Sequence, residues 1–173
     1  MKDASSKFKD TLPTSPEEIF AKFKEFNIKY TKFQHPPIFT VIDAKKCQSV
    51  MIGTHVKNLF LRDKKKRNFL LVAEQDTKIN MKTLHHKISS DRLSFGSPDR
   101  LWQYLGVRPG AVSPLALIND IEMSVTLFIE DILQSEHQIF LHPLVNDLSV
   151  GVKLNELKAF FKFTGHQPNF IKL

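Results

Sequence analysis

The stretch Leu93–Asp120, LSFGSPDRLWQYLGVRPGAVSPLALIND, constrains the fold of this chain more than any other. It reads as a short apolar strand, a turn, an amphipathic helix, and then the loop Val107-Arg108-Pro109-Gly110-Ala111-Val112-Ser113-Pro114. In that loop two prolines bracket a glycine and small side chains. Proline fixes φ and removes a donor, whereas glycine admits conformations closed to other residues. Such a loop is stiff, and its backbone can approach a ligand closely.

The elements around it follow from local signals. Met1 to Thr14 is polar without sustained periodicity and is expected to be a flexible arm, leaving 15–173 as one domain. Ser15-Pro16-Glu17-Glu18 opens a helix with an N-cap, a proline at the first helical position and acids that complement the dipole. Ile19, Phe20, Phe23 and Phe26 share one face of it, and Asn27 ends it. A strand follows over 28–33, closed by His35-Pro36-Pro37, then a short helix over Thr40–Lys46, with Cys47 read as a small hydrophobe on a helix. Lys57–Arg62 and Asn68–Val72 read as paired strands around the basic turn Arg62–Arg67. Further strands are expected over 92–95, 122–129, 137–141 and within 145–152. Short helices are expected over 80–87 and from Ser97-Pro98 to Gly106, and a closing helix over 154–163 with Gly165 as its stop. Strands and helices alternate without a strict βαβ rhythm. The fold class is therefore α/β in a single domain: a mixed, largely antiparallel sheet with surrounding helices.

Composition enters where partners are at issue. The net charge of +7 and pI near 9.5 suit a polyanionic partner, and equally a solvated lysine-rich surface. The fifteen phenylalanines are read as core. With one cysteine there is no disulfide framework and no cysteine zinc site. No apolar run is long enough to span a membrane, and the polar start does not resemble a secretory signal, so the cytoplasm is the expected location. Dinucleotide, Walker and His-Glu-x-x-His patterns are absent, and the histidines do not pair at ligand spacing. No metal or cofactor is expected.

Among polar residues near strand ends, Lys57 either snorkels to solvent or supplies a cation that orients an oxygen. His142, followed by Pro143 and with Asn146 close behind, is either a hydrogen-bonded structural histidine or a ligand contact. Glu130 closes a strand and is expected to be solvated.

Four ordered segments together carry a resemblance: 53–63 (GTHVKNLFLRD), 93–101 (LSFGSPDRL), 105–117 (LGVRPGAVSPLAL) and 142–146 (HPLVN). They resemble the YbaK/prolyl-tRNA synthetase-associated family of editing domains, and within it the free-standing alanyl-tRNA(Pro) deacylases (ProXp-ala). The resemblance spans about Ser15 to Pro168. It implies the fold of those domains and hydrolysis of the ester between a wrong amino acid and the 3′ end of tRNA. The need for a second site is physical, since a missing methylene discriminates by only ~1–3 kcal/mol in a pocket.

Carried over residue by residue, the resemblance implies that Lys57 positions the 3′ end and stabilises developing charge, with Asn58 beside it. Gly110 to Pro114 matches the family's G-x-x-x-P element. Its backbone amides, with Ala111, Val112, Ser113 and Pro114, bound the aminoacyl pocket, and Gly110 leaves room for alanine. His142 falls on the motif's histidine and Asn146 on the polar residue after it. Glu130 stands where integrated editing domains tend to carry aspartate, so no role is carried over to it. The implied partners are the acceptor end of tRNA(Pro) carrying alanine and prolyl-tRNA synthetase, with Arg92, Arg100 and Lys64–Arg67 as candidate phosphate contacts. Two alternatives stand: the same reaction on Cys-tRNA(Pro) or another small mischarged residue, and a catalytically silent tRNA- or synthetase-binding module.

Overall fold

In the computed structural model, residues 3–38 and 51–173 are described. The expected helix over Thr40–Lys46 and Cys47 lie outside the described residues.

Ser15 starts helix α1 (Pro16–Glu25) with a complete capping box, its hydroxyl accepting from the Glu18 amide and the Glu18 carboxylate accepting from the Ser15 amide. Asn27 ends it in the left-handed region, where the Ile28 amide reaches back to the Phe23 carbonyl. Strand β1 (Tyr30–Gln34) follows. Strands β2 (Thr54–Arg62) and β3 (Asn68–Glu74) form the expected hairpin. Buried Asp63 organises its basic tip by accepting from the Arg67 amide and guanidinium. The helix expected over 80–87 is shorter, α2 (Leu84–Lys87), because a turn over 81–83 precedes it.

Next come β4 (Ser94–Phe95) and α3 (Pro98–Leu105), the latter capped by the Ser97 hydroxyl. Strands β6 (Ile139–Leu141) and β7 (Leu148–Val152) sit within the expected ranges, and β5 (Val125–Glu130) starts later than the expected 122–129 and runs one residue beyond it. The closing helix divides into a 3-10 turn, Leu154–Leu157, and α4 (Lys158–Thr164). The sequence reading has no counterpart for β8 (Asn169–Ile171).

The described strands form one sheet in the order β1-β7-β6-β2-β3-β5-β8, with β4 also on β2. It is mixed, with four antiparallel pairings and three parallel ones. Strand β3 lies inside the sheet between β2 and β5, and its alternation divides the core. Leu70 and Val72 join a large cluster with Phe23, Leu105, Leu117, Ile129 and Phe160, while Phe69 and Leu71 join a smaller one with Leu84, Leu93 and Phe128.

The amino-terminal segment, expected to be a flexible arm, is packed on the domain. Ser6–Thr11 forms a 3-10 helix. Asp147 accepts from the Ser6 amide and hydroxyl, the Asn146 amide donates to the Ala4 carbonyl, and Arg108 donates to Thr11. Every one of these partners lies far away in sequence, which is why local composition did not show the segment's place.

Candidate active site

The sheet opens along one edge of β2. On β2, strand β6 reaches only Thr54 and His55, and β4 only Leu61 and Arg62. Between them, on the edge away from β3, β2 has no strand partner among the described residues. A cavity of about 270 Å³ lies there. Val56, Lys57 and Asn58 all line it. Alternation sends consecutive strand residues to opposite faces, so three in a row can share a cavity only along an open strand edge. Phe140, Leu141 and His142 at and just beyond the end of β6, Ser149 on β7, and Gly110 and Val112 of the Gly-Pro loop line the cavity too.

Lys57 is held rather than free. Its Nζ donates to the Gln75 carbonyl at 3.0 Å and to the Thr77 carbonyl. The turn that supplies these carbonyls is itself fixed by Glu130. That buried carboxylate, at the end of β5, accepts from the Glu74 amide at 2.8 Å and from the Thr77 hydroxyl at 2.9 Å. An ammonium has three donors. Two are spent on carbonyls, which leaves one for an oxygen in the cavity. Glu130, expected to be solvated, is therefore a buried support of the lysine cradle.

The Gly-Pro loop is built as its composition suggests. The Ala111 amide donates to the Arg108 carbonyl at 3.0 Å, closing a turn with Pro109 and Gly110 at its centre. Gly110 has φ +97°, so the turn is of type II, the form that takes proline and then glycine in its two central places. Beyond it the Ser113 hydroxyl accepts from the Leu115 amide and caps the 3-10 helix Pro114–Asn119.

His142 bonds through Nδ1 to the Leu148 carbonyl at 2.9 Å. A carbonyl only accepts, so Nδ1 carries the proton and Nε2 keeps its lone pair. Burial pushes His142 down to about 4, opposed in part by that carbonyl and reinforced by nearby His35 and His55. The ring is neutral at physiological pH. His55, stacked on Phe140, is likewise lowered, chiefly by burial.

Of the residues named from sequence, Lys57, Asn58, Gly110, Val112 and His142 line the cavity together. Ala111, Ser113, Pro114 and Asn146 are buried and do not line it. Asn146 works at one remove: its Nδ2 donates to the Ile38 carbonyl and its own carbonyl accepts from the Ile38 amide, and Ile38 lines the cavity. Gln75, Thr77, Glu130, His55 and Ser149 were not singled out as site residues from sequence. The one available signal was the polar Gln75-Asp76-Thr77 run directly after the apolar β3. No group of His, Cys, Asp and Glu suited to a metal ion occurs among the described residues.

A family model described as an aminoacyl-tRNA editing domain matches residues 35–160. The chain is 37% identical over 158 residues to the prolyl-tRNA editing protein ProX of Acetoanaerobium sticklandii, covering 91% of this chain and 96% of that one. It is 34% identical over 154 residues to the prolyl-tRNA synthetase associated domain-containing protein 1 of Danio rerio, covering 88% and 84% respectively. Among solved structures, a candidate trans-editing enzyme for prolyl tRNA synthetase superposes with a TM-score of 0.66 at 14% identity, covering 91% of this chain and 96% of that chain, and shares the fold.

Proposed function

The chain belongs to the aminoacyl-tRNA editing domain family, and on that premise we propose that it is a trans-editing deacylase that hydrolyses Ala-tRNA(Pro) at the 3′-terminal ester. The observation that carries this reading is the cradled Lys57 sharing one small cavity with the Gly110 turn and neutral His142. Lys57 directs its remaining donor at an oxygen of the terminal nucleotide or the ester. The Gly110 amide polarises the carbonyl, the Ala111 amide being committed to the Arg108 carbonyl, and neutral His142 offers an acceptor in the same cavity. Positioning of a water against the ester then accounts for much of the rate. Discrimination against proline is steric: alanine fits beside the turn, whereas the proline ring needs the space that the turn and His142 fill.

The tRNA is the partner the charge suits, with phosphate contacts that make binding salt-sensitive. Lys64–Arg67 lies exposed at the hairpin tip. At about 3.3 Å per residue, Arg62 is roughly 17 Å along β2 from Lys57, so the tip suits the acceptor stem rather than the terminal adenosine. Arg100 is already engaged, donating to Asn68 and to the Lys66 carbonyl. Prolyl-tRNA synthetase, which generates the mischarged substrate, is the second implied partner. No helix among the described residues is long and apolar enough to cross a membrane. This reading places the protein in the cytoplasm, with the aminoacylated tRNA.

The test is a deacylation panel: tRNA(Pro) charged with Ala, Cys, Ser or Pro, incubated with the purified protein. Release of alanine with proline retained is the expected result. Preferential release of cysteine transfers the activity to the alternative substrate, and release of nothing leaves a binding module.

A further inference from the structure

The cavity wall carries a second hydrogen-bonded array that the site described above does not use. His35, just beyond β1, bonds through Nδ1 to the Pro36 carbonyl at 2.8 Å, so that nitrogen carries the proton and Nε2 has the lone pair. Ser149 Oγ lies 2.8 Å from His35 Nε2, so the serine hydroxyl donates into the imidazole. Ser149 is only 4% exposed, yet it lines the cavity with Lys57 and His142. His35 is partly exposed, and its ring centroid lies 6.0 Å from that of His142. A hydroxyl inside the cavity is thus coupled to a histidine that reaches solvent, and a carbonyl fixes the tautomer of that histidine. This is the order of hydroxyl, base and orienting group found at activated hydroxyls.

We propose that Ser149 and His35 form a proton relay that activates the hydrolytic water, an inference that rests on the deacylase reading. With its proton committed to His35, Ser149 Oγ accepts from a water in the cavity. As the water oxygen bonds to the ester carbonyl carbon, its proton passes to Ser149 Oγ and the serine proton passes to His35 Nε2. Collapse of the tetrahedral intermediate breaks the bond to the ribose oxygen, and the proton held by His35 returns along the same path to that leaving oxygen. No other co-reactant is needed. His142 is the less suitable base, because burial holds it near 4. The titratable groups facing His35 among the described residues are His142, His55 and Asp147. The Asp147 carbonyl accepts from the His35 amide, and its carboxylate is taken up by Ser6.

The experiment is single-turnover hydrolysis of Ala-tRNA(Pro) from acid to mildly alkaline pH by the wild type, His35→Gln and Ser149→Ala, with melting curves for each. Glutamine retains an oxygen that can accept from Ser149 but cannot take up the proton, so it separates holding from proton transfer. Both variants are expected to lose about 100-fold in rate, the middle of the range for general-base catalysis, and to lose the acid limb of the profile while tRNA affinity is unchanged. His35→Gln reacting at the wild-type rate with its acid limb intact overturns the relay and leaves the deacylase reading standing. Alanine trapped covalently on Ser149 overturns it too, since the hydroxyl is then the nucleophile. If the wild type itself releases no alanine, the deacylase reading fails instead.

Discussion

Glu130→Ala isolates the support beneath Lys57 without touching the cavity. The carboxylate accepts from the Glu74 amide and the Thr77 hydroxyl, and it is 8% exposed. Hydrogen bonds to a charged group contribute about 1.5–3 kcal/mol each, so losing both, with some relief from entering water, costs about 3 kcal/mol. For a domain of this size each kcal/mol moves Tm by about 2–4 °C, so the expected drop is about 6–12 °C. The Gln75 and Thr77 carbonyls then lose their fixed positions, and with them Lys57. Removing support one layer behind a site typically lowers activity about 10- to 100-fold, and that loss is expected here at temperatures where the variant is still folded. One oxygen of Glu130, Oε2, accepts both bonds. Glu130→Gln can therefore keep the arrangement, and recovery of most of both stability and rate is expected. The assays are thermal melts followed by circular dichroism and single-turnover deacylation. A Glu130→Ala protein that melts and hydrolyses like the wild type would refute the reasoning, because the 74–77 turn would then hold the lysine unaided.

Lys57→Ala is expected to lower single-turnover deacylation about 100-fold or more, the scale for removing one donor to a developing oxyanion, and also to lower Tm by several degrees, because the Gln75 and Thr77 carbonyls lose a charged donor; an unchanged rate at temperatures where the variant is folded removes the lysine from the chemistry. Gly110→Ala places a side chain at φ +97°, which costs about 1–2 kcal/mol and is read as a lower Tm; no change would mean that the turn adapts freely. Because His142 is held near 4 in the folded protein against an ordinary value of 6.5, the unfolded chain binds more protons between those values. Stability from this residue is present above about pH 6.5 and is lost as pH falls towards 4, by at most about 3 kcal/mol, less for a side chain still partly in contact with solvent. Urea titrations of His142→Asn should show a flatter dependence over that window, and a dependence identical to wild type would contradict the assignment.

Elements written in short-range chemistry were legible in the sequence. Ser15 with Glu18, Asn27, and Ser97 with Pro98 mark helix ends through bonds spanning only a few residues, and the β2–β3 hairpin shows as two apolar runs around a basic turn. What was not legible depends on distant partners. Strand β8 is three residues long and exists through parallel pairing with β5, some forty residues earlier in the chain. The amino-terminal segment is placed by Asn146 and Asp147. In the site, family resemblance pointed to Lys57, Gly110 and His142, which the fold brings to one cavity. Nothing local joins Glu130 to Thr77, or Lys57 to the carbonyls of Gln75 and Thr77, because those bonds form only once β5, β3 and β2 lie side by side. Ser149 with His35 is of the same kind, a residue of β7 and one just beyond β1, strands that meet at one end of the sheet.

The central claim is that this cavity hydrolyses an alanyl ester and spares a prolyl one. Its most direct test is the ratio of kcat/KM for Ala-tRNA(Pro) to that for Pro-tRNA(Pro), measured on the same tRNA preparation with the full chain. Rejection of a ring that clashes with the turn and His142 predicts a ratio of at least about 100, equivalent to roughly 2.7 kcal/mol at the transition state. Equal rates for the two esters, or hydrolysis of neither, would contradict it.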